Sequence, residues 1–146
     1  MMRSSASSSE VSGRLAVRLG DRSDIANLRW TREGSHDTWI ISSPLGNEVA
    51  RLESGEHGAT LERAGAAPER AQSFQELTQR LLGVPLDPDE MAGWLHGAPP
   101  SATGDWKVSI EATQKAGNVE LAKRMTARRG DVVVRLVVDE YRALAE

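Results

Sequence analysis

The chain contains no cysteine. Disulfides, thiolate catalysis, cysteine-ligated zinc and lipid attachment to a cysteine are therefore excluded within these 146 residues. Aromatic residues are scarce: four Trp, one Tyr and one Phe. Neither sign of charge dominates, with 18 Lys and Arg against 21 Asp and Glu and a net charge of −3. A nucleic-acid partner, which needs a concentrated basic surface, is not expected. No apolar run approaches the about 20 residues of a membrane-spanning helix. Met1–Glu10 is Ser-rich with a single Arg and no apolar stretch, so it does not read as a signal peptide. The chain is thus either cytosolic or shown without its export segment.

Motifs for chemistry are missing as well. There is no Gly-rich phosphate loop after a strand and no Gly-x-Ser-x-Gly elbow. His36, His57 and His96 are far apart, and Glu56-His57 has no second histidine at helical spacing. Asp87-Pro88-Asp89-Glu90 lacks calcium-loop spacing and reads as the acidic start of a helix. No catalytic residue, metal or cofactor is expected, and the chain reads as a non-enzyme.

What is present is period-two patterning. Val11, Gly13, Leu15, Val17 and Leu19 alternate with Ser12, Arg14, Ala16 and Arg18. Ala26, Leu28 and Trp30 follow the Gly20-Asp21 turn, and Asp37–Ser43 follows Glu33-Gly34-Ser35. Ala50 and Leu52 alternate with Val49, Arg51 and Glu53; Ala59 and Leu61 continue the pattern after Gly55–Gly58. Five strands in near-regular order predict an antiparallel meander. The period then becomes helical. Ser73 with Glu76 forms a capping box, Phe74, Leu77 and Leu81, with Leu82 beside them, share a face, and Gly83 and Pro85 stop the helix. A second helix opens at Asp87 or Asp89, carries Met91, Trp94 and Leu95 on one side and ends at Gly97, before a loop at 97–101. Strands return with Trp106, Val108, Ile110 and Ala112 on one face. After a turn at Gly117-Asn118, Leu121, Lys123, Met125 and Ala127 share the next face. Beyond the Arg129-Gly130-Asp131 turn, Val132, Val134, Leu136 and Val138 close the sheet, and Glu140–Glu146 reads as a final helical turn. Arg14, Arg18, Arg29, Arg124, Arg128 and Arg135 lie opposite the apolar face.

Residues 1–10 read as a disordered polar tail and 11–146 as one domain. The expected fold is mainly β with α: an incomplete antiparallel half-barrel of about eight strands, its concave side plugged by two short helices. That shape leaves an apolar, lipid-sized cavity at the mouth. Between two strands, Ser43–Asn47 makes a tight hairpin with Leu45 at its tip. A large aliphatic residue there either folds back on the body or points outward at something apolar. Taken alone, folding back is the ordinary outcome.

Several ordered motifs resemble the LolB family of outer-membrane lipoprotein receptors. They are Ser12–Arg18, Leu28-Arg29-Trp30, Ser43-Pro44-Leu45-Gly46, Leu81–Leu86, Trp94-Leu95-His96-Gly97, Asp105–Val108 and Arg128–Val132. The resemblance implies a LolA/LolB-like half-barrel that accepts triacylated lipoproteins from the periplasmic carrier LolA. It would then insert them into the inner leaflet of the outer membrane, working as a monomer at the periplasmic face. It implies a membrane-insertion loop at Pro44, Leu45 and Gly46, turning Leu45 outward. It also implies an acyl-cavity lining of Leu15, Val17, Leu28, Trp30, Leu52, Leu61, Leu77, Leu81, Met91, Trp94, Leu95, Trp106, Val108, Ile110, Val134 and Leu136. Three departures stand out: the family's lipidated cysteine has no counterpart here, only Ala98–Gly104 stands where members carry further strand-forming sequence, and Ala98-Pro99-Pro100 replaces their Leu-Pro. A lipid-binding or structural module without transfer activity is the alternative.

Overall fold

The computed structural model describes residues 8–34, 36–96, 106–117 and 119–144. One antiparallel sheet of nine strands runs through it. Its strands are β1 (Ser8–Leu19), β2 (Arg22–Glu33), β3 (His36–Ser42), β4 (Glu48–Gly55), β5 (Gly58–Arg63), β6 (Glu69–Ala71), β7 (Lys107–Ala116), β8 (Val119–Arg129) and β9 (Val132–Leu144). The spatial order is β6-β5-β4-β3-β2-β1-β9-β8-β7, and the sheet stays open. Two helices, α1 (Phe74–Leu82) and α2 (Pro88–Leu95), come between β6 and β7 in the chain. Because β6 and β7 are opposite edges, this connection must cross a face of the sheet, and the helices' apolar sides choose the inner one. The half-barrel plugged by two helices is therefore present.

The seam between the two meanders is β1 against β9, paired from Ser8↔Leu144 to Leu19↔Val132. The sheet bulges there at Ser12/Gly13. A Cβ on Gly13 would lie 1.9 Å from the Val137 carbonyl oxygen, so only glycine fits.

Both helix starts follow from capping. Ser73 Oγ accepts the Glu76 backbone N–H at 3.3 Å, while the Glu76 carboxylate accepts from Gln72 rather than from Ser73. Gly83, at φ 83°, ends α1 in the left-handed conformation. Asp87 caps α2 and Pro88 occupies its first turn.

Several expectations need correction. Glu140–Leu144 is strand rather than a helical turn, because the β1 backbone opposite it completes its ladder. β1 begins at Ser8, inside the expected tail. β6 is a ninth strand, paired to β5 from Ala59↔Ala71. Leu82, not Leu81, is the buried end of the α1 face. Register irregularities between β7 and β8 leave Glu111 and Lys123 out of the pairing. Past that point the alternation changes phase: Lys123 is exposed, and Ala122 joins the core. The expected turn residues Ser35 and Asn118, the helix end at Gly97, the loop at 97–101 and the tail residues 1–7 lie outside the described residues.

Candidate lipid-binding site and exposed hairpin

Alternation aims Leu15 and Val17, Leu28 and Trp30, Trp39 and Ile41, Leu52 and Leu61 at the inner face, where all are buried. α1 lowers Phe74, Leu77 and Leu82 onto them, and α2 lowers Met91, Trp94 and Leu95. Trp39 meets Phe74 edge-on at 5.0 Å, and Trp94 meets Trp106 at 5.2 Å. The Arg129 guanidinium sits 4.4 Å over the Trp106 ring. Thr78 ties the helices together, accepting the Leu86 backbone N–H at 2.8 Å and donating to the Gln75 carbonyl at 3.1 Å.

Of the expected lining residues, Leu81 and Val108 are partly buried against this core, and Ile110 is 38% exposed just before the β7 irregularity. The others all belong to the core. Two clefts flank α2. One, of about 160 Å³, lies among Val11, Trp30, Arg32, Ala92, Leu95 and Tyr141; the other, of about 250 Å³, lies among Leu95, Ile110, Leu121 and Ala122. Both are below the roughly 300 Å³ of ordinary ligand pockets. Neither reaches Trp39, Leu52 or Leu61, which are fully buried. Among the described residues the indole N–H groups of Trp39 and Trp94 are buried without an acceptor. An unsatisfied donor of this kind costs about 1–3 kcal/mol.

One polar cluster interrupts the apolar inner side. The Asp37 carboxylate, only 3% exposed, accepts the Trp30 indole N–H at 2.8 Å and Arg32 Nη1 at 3.3 Å. The Asp37 backbone N–H donates to Ser54 Oγ at 3.2 Å. Burial raises the Asp37 pKa above the usual carboxylate value, against the lowering effects of Trp30 and Arg32; the Asp89 carboxylate adds to the rise, and His36 opposes it. Arg32 continues outward, donating to the Pro88 carbonyl at 3.2 Å and pairing with Asp89. Both acceptors belong to the first turn of α2. The guanidinium therefore clamps that helix to β2 and β3.

At the other end of the sheet the Ser43–Asn47 hairpin projects. Gly46 N–H donates to the Ser43 carbonyl at 2.8 Å, and Gly46 takes φ 95°, which a side chain would resist. Leu45 is 91% exposed. The turns at Gly20-Asp21 and Gly130-Asp131 share this end, since Leu19 is opposite both Arg22 and Val132. Outside the sheet at the hairpin's base lies a wide polar groove of about 610 Å³ among Asn27, Arg29, Ser42, Glu48 and Arg51.

Sequence reasoning missed the Arg32–Asp37 clamp, and the signal for it was register. With the short turn at Gly34, Arg32 falls opposite Asp37 and Trp30 opposite Trp39. His36, His57 and His96 are all exposed and are not brought together.

The family model for the outer membrane lipoprotein LolB matches residues 7–141. The outer-membrane lipoprotein LolB of Thiobacillus denitrificans is 29% identical over 90% of this chain and 78% of that protein. The LolB of Chromobacterium violaceum is 35% identical over 61% of this chain, a match spanning about half (49%) of that protein's length. Among solved structures, a LolA superfamily protein from Nitrosomonas europaea superposes with a TM-score of 0.54 at 10% identity, covering 99% of this chain and 89% of that one. That likeness concerns the fold alone.

Proposed function

The chain belongs to the LolB family, and from that premise we propose that it receives acylated lipoproteins from a LolA-like periplasmic carrier and inserts them into the inner leaflet of the outer membrane. It acts as a monomer at the periplasmic face and performs no covalent chemistry. The observation that carries this reading is Leu45, left 91% exposed at a hairpin tip on a sheet whose inner face, apart from the Asp37 cluster, is aliphatic and aromatic. Burying one leucine in lipid contributes about 1.5–3 kcal/mol, a foothold rather than an anchor. The acyl chains take the inner face, where Leu15, Val17, Leu28, Leu52, Leu61, Val134 and Leu136 offer no fixed polar partner. A cargo held that way can be handed on. Since the inner face is covered in this conformation, the chains enter by displacing α2, along the clefts on either side of it.

The test is transfer of a fluorescent triacylated lipoprotein from a loaded LolA-like carrier to this protein, and then to vesicles. Leu45→Glu is expected to accept cargo normally and to slow insertion at least about tenfold, the loss of one buried leucine. Insertion by Leu45→Glu at the wild-type rate would remove the loop's role. The covered interior favours a second reading, a structural module of the same fold without transfer activity. Failure of the wild-type protein to take up acylated cargo at all would select that reading.

A further inference from the structure

We propose that the outer face of β1, β9 and β8 is a second membrane contact: an arginine platform that seats the protein on anionic phospholipid headgroups beside the Leu45 hairpin. This rests on the insertion reading above and extends it from one loop to a surface.

The platform follows from register. Across the strands, Arg18 stands beside Val133, then Arg128, then Lys107. One row further from the hairpin end, Ala16 is beside Arg135 and Thr126. The third row holds Arg14, Val137 and Arg124. All six cations are exposed, and no Asp or Glu occupies these rows from β2 to β7. Acids border them. Asp139 pairs with Arg14 at 3.2 Å, Glu140 stands opposite Ser12 in the next row, Asp131 lies in the turn beyond Arg18, and Glu111 accepts the Thr126 hydroxyl at 3.1 Å. Arg18, Arg124, Arg128 and Arg135 have no ion-pair partner among the described residues. A chain of net charge −3 has thus gathered four unpaired arginines on one side of one sheet. Elsewhere most of its arginines are matched, as Arg63 and Arg80 are by Glu69 and Arg32 by Asp37; among the described residues Arg70 on β6 and Arg129, stacked on Trp106, are not.

A second pattern selects the partner. Among the described residues, four of the five large exposed hydrophobics, Leu19, Ile25, Leu45 and Val49, lie toward the hairpin end. Ile25 is 64% exposed and directly opposite Ala16 on the outer face, at the edge of the arginine rows. Val49 is the extra residue of the bulge where Ser42 pairs with Glu48 and Ile41 with Ala50. An apolar rim continuous with a cationic field suits the bilayer interface, which offers hydrocarbon depth and anionic phosphates together. A nucleic acid or an acidic protein offers the charge without the depth. Each basic side chain at an anionic lipid surface strengthens binding about fivefold, so three are worth roughly a hundredfold. The effect falls with added salt.

The test uses the full chain in sedimentation with phosphatidylcholine vesicles, with and without phosphatidylglycerol, across a salt series. The wild type is expected to prefer the phosphatidylglycerol vesicles and to lose that preference at high salt. The variant Arg18→Gln/Arg128→Gln/Arg135→Gln is expected to lose roughly a hundredfold on anionic vesicles alone. The triple Arg→Lys variant keeps the preference. Thermal melts of the Gln triple are expected to match wild type, because those side chains have no partner to lose. If the Gln triple does not fold, the wild-type preference and its salt dependence decide by themselves. Equal wild-type binding to both vesicle types, or an unimpaired Gln triple, overturns the proposal. So does a Gln triple that binds vesicles normally but no longer binds an acidic carrier protein. Leu45→Glu separates the two readings. If it inserts cargo at the wild-type rate while the Gln triple loses anionic binding, the loop's role fails and the platform stands.

Discussion

Replacing Arg32 by Met tests whether α2 is clamped as the geometry indicates. Met keeps most of the stem and removes the guanidinium. Three acceptors lose their donor: the Asp37 carboxylate, the Pro88 carbonyl and the Asp89 carboxylate. The Asp89 pair contributes little, since that side chain is 75% exposed and a solvated pair is worth about 0–1 kcal/mol. The Pro88 bond is part-buried and contributes about 1 kcal/mol. The largest loss falls on Asp37, left with the Trp30 N–H as its remaining side-chain donor. Stranding a buried charge costs about 3–5 kcal/mol, an upper bound here because Asp37 limits it by taking a proton. A net loss of about 2–3 kcal/mol is expected for Arg32→Met. Asp37→Asn should cost about 1 kcal/mol, since Asn still accepts from Trp30. The double variant should recover about 1 kcal/mol or more relative to the sum. Urea unfolding supplies the cycle, and hydrogen exchange at Met91, Trp94 and Leu95 reports on α2 directly. Additive effects within about 0.5 kcal/mol, with unchanged α2 exchange, would show that Arg32 does not hold the helix.

Two further outcomes follow from particular contacts. Because burial raises the Asp37 pKa above its unfolded value, its contribution to stability is complete below the unfolded pKa and is lost as pH rises through the folded one. Wild type should therefore gain stability relative to Asp37→Asn as pH falls from neutrality into the carboxylate range, and denaturant titrations of both proteins read that difference. Gly13→Ala places a Cβ 1.9 Å from the Val137 oxygen. It should cost about 3 kcal/mol by denaturant unfolding and should unprotect the β1–β9 amides first; a neutral result would mean that the seam yields easily.

Much of the sheet was legible because burial on one face writes itself as period two. Leu15, Val17, Leu28, Trp30, Leu52 and Leu61 are inward as the alternation requires. The legibility ended where geometry depended on a partner strand. Glu69–Ala71 is too short to show a period, and Glu140–Leu144 carries Glu, Arg, Ala and Leu, which suit a helix equally well. Only the β1 backbone waiting opposite makes that segment a strand. Lys123 was misplaced because an irregularity shifts the side chains beyond it to the other face, and no residue at that position announces it; Ile110, opposite Met125, keeps its side but lies on the edge strand, where it lines the cleft beside α2. The arginine rows were visible as an outward set, but their alignment into an acid-free patch exists only once β1, β9 and β8 are in register.

A covered interior need not oppose a carrier role, and the magnitudes show why. On the proposed reading, lifting α2 exposes Met91, Trp94 and Leu95, each fully buried here. At about 1.5–3 kcal/mol apiece, that costs roughly 5–9 kcal/mol, and breaking the Arg32 clamp adds to it. An acyl chain burying about fourteen methylenes gains about 11 kcal/mol at 0.8 kcal/mol each. One chain therefore about offsets the opening of the lid with its clamp, and further chains of the same cargo supply the surplus. Most of the first chain's gain is spent in displacing the protein's own side chains, so the net hold on the cargo stays below what its hydrocarbon content suggests. Trp39 and Trp94, with indole donors unsatisfied in the closed form, would also find acceptors in the carbonyls of an acylated guest. A bilayer demands no such displacement before it accepts an acyl chain. The gradient from protein to membrane then follows from the closed core itself, and transfer in that direction needs no nucleotide.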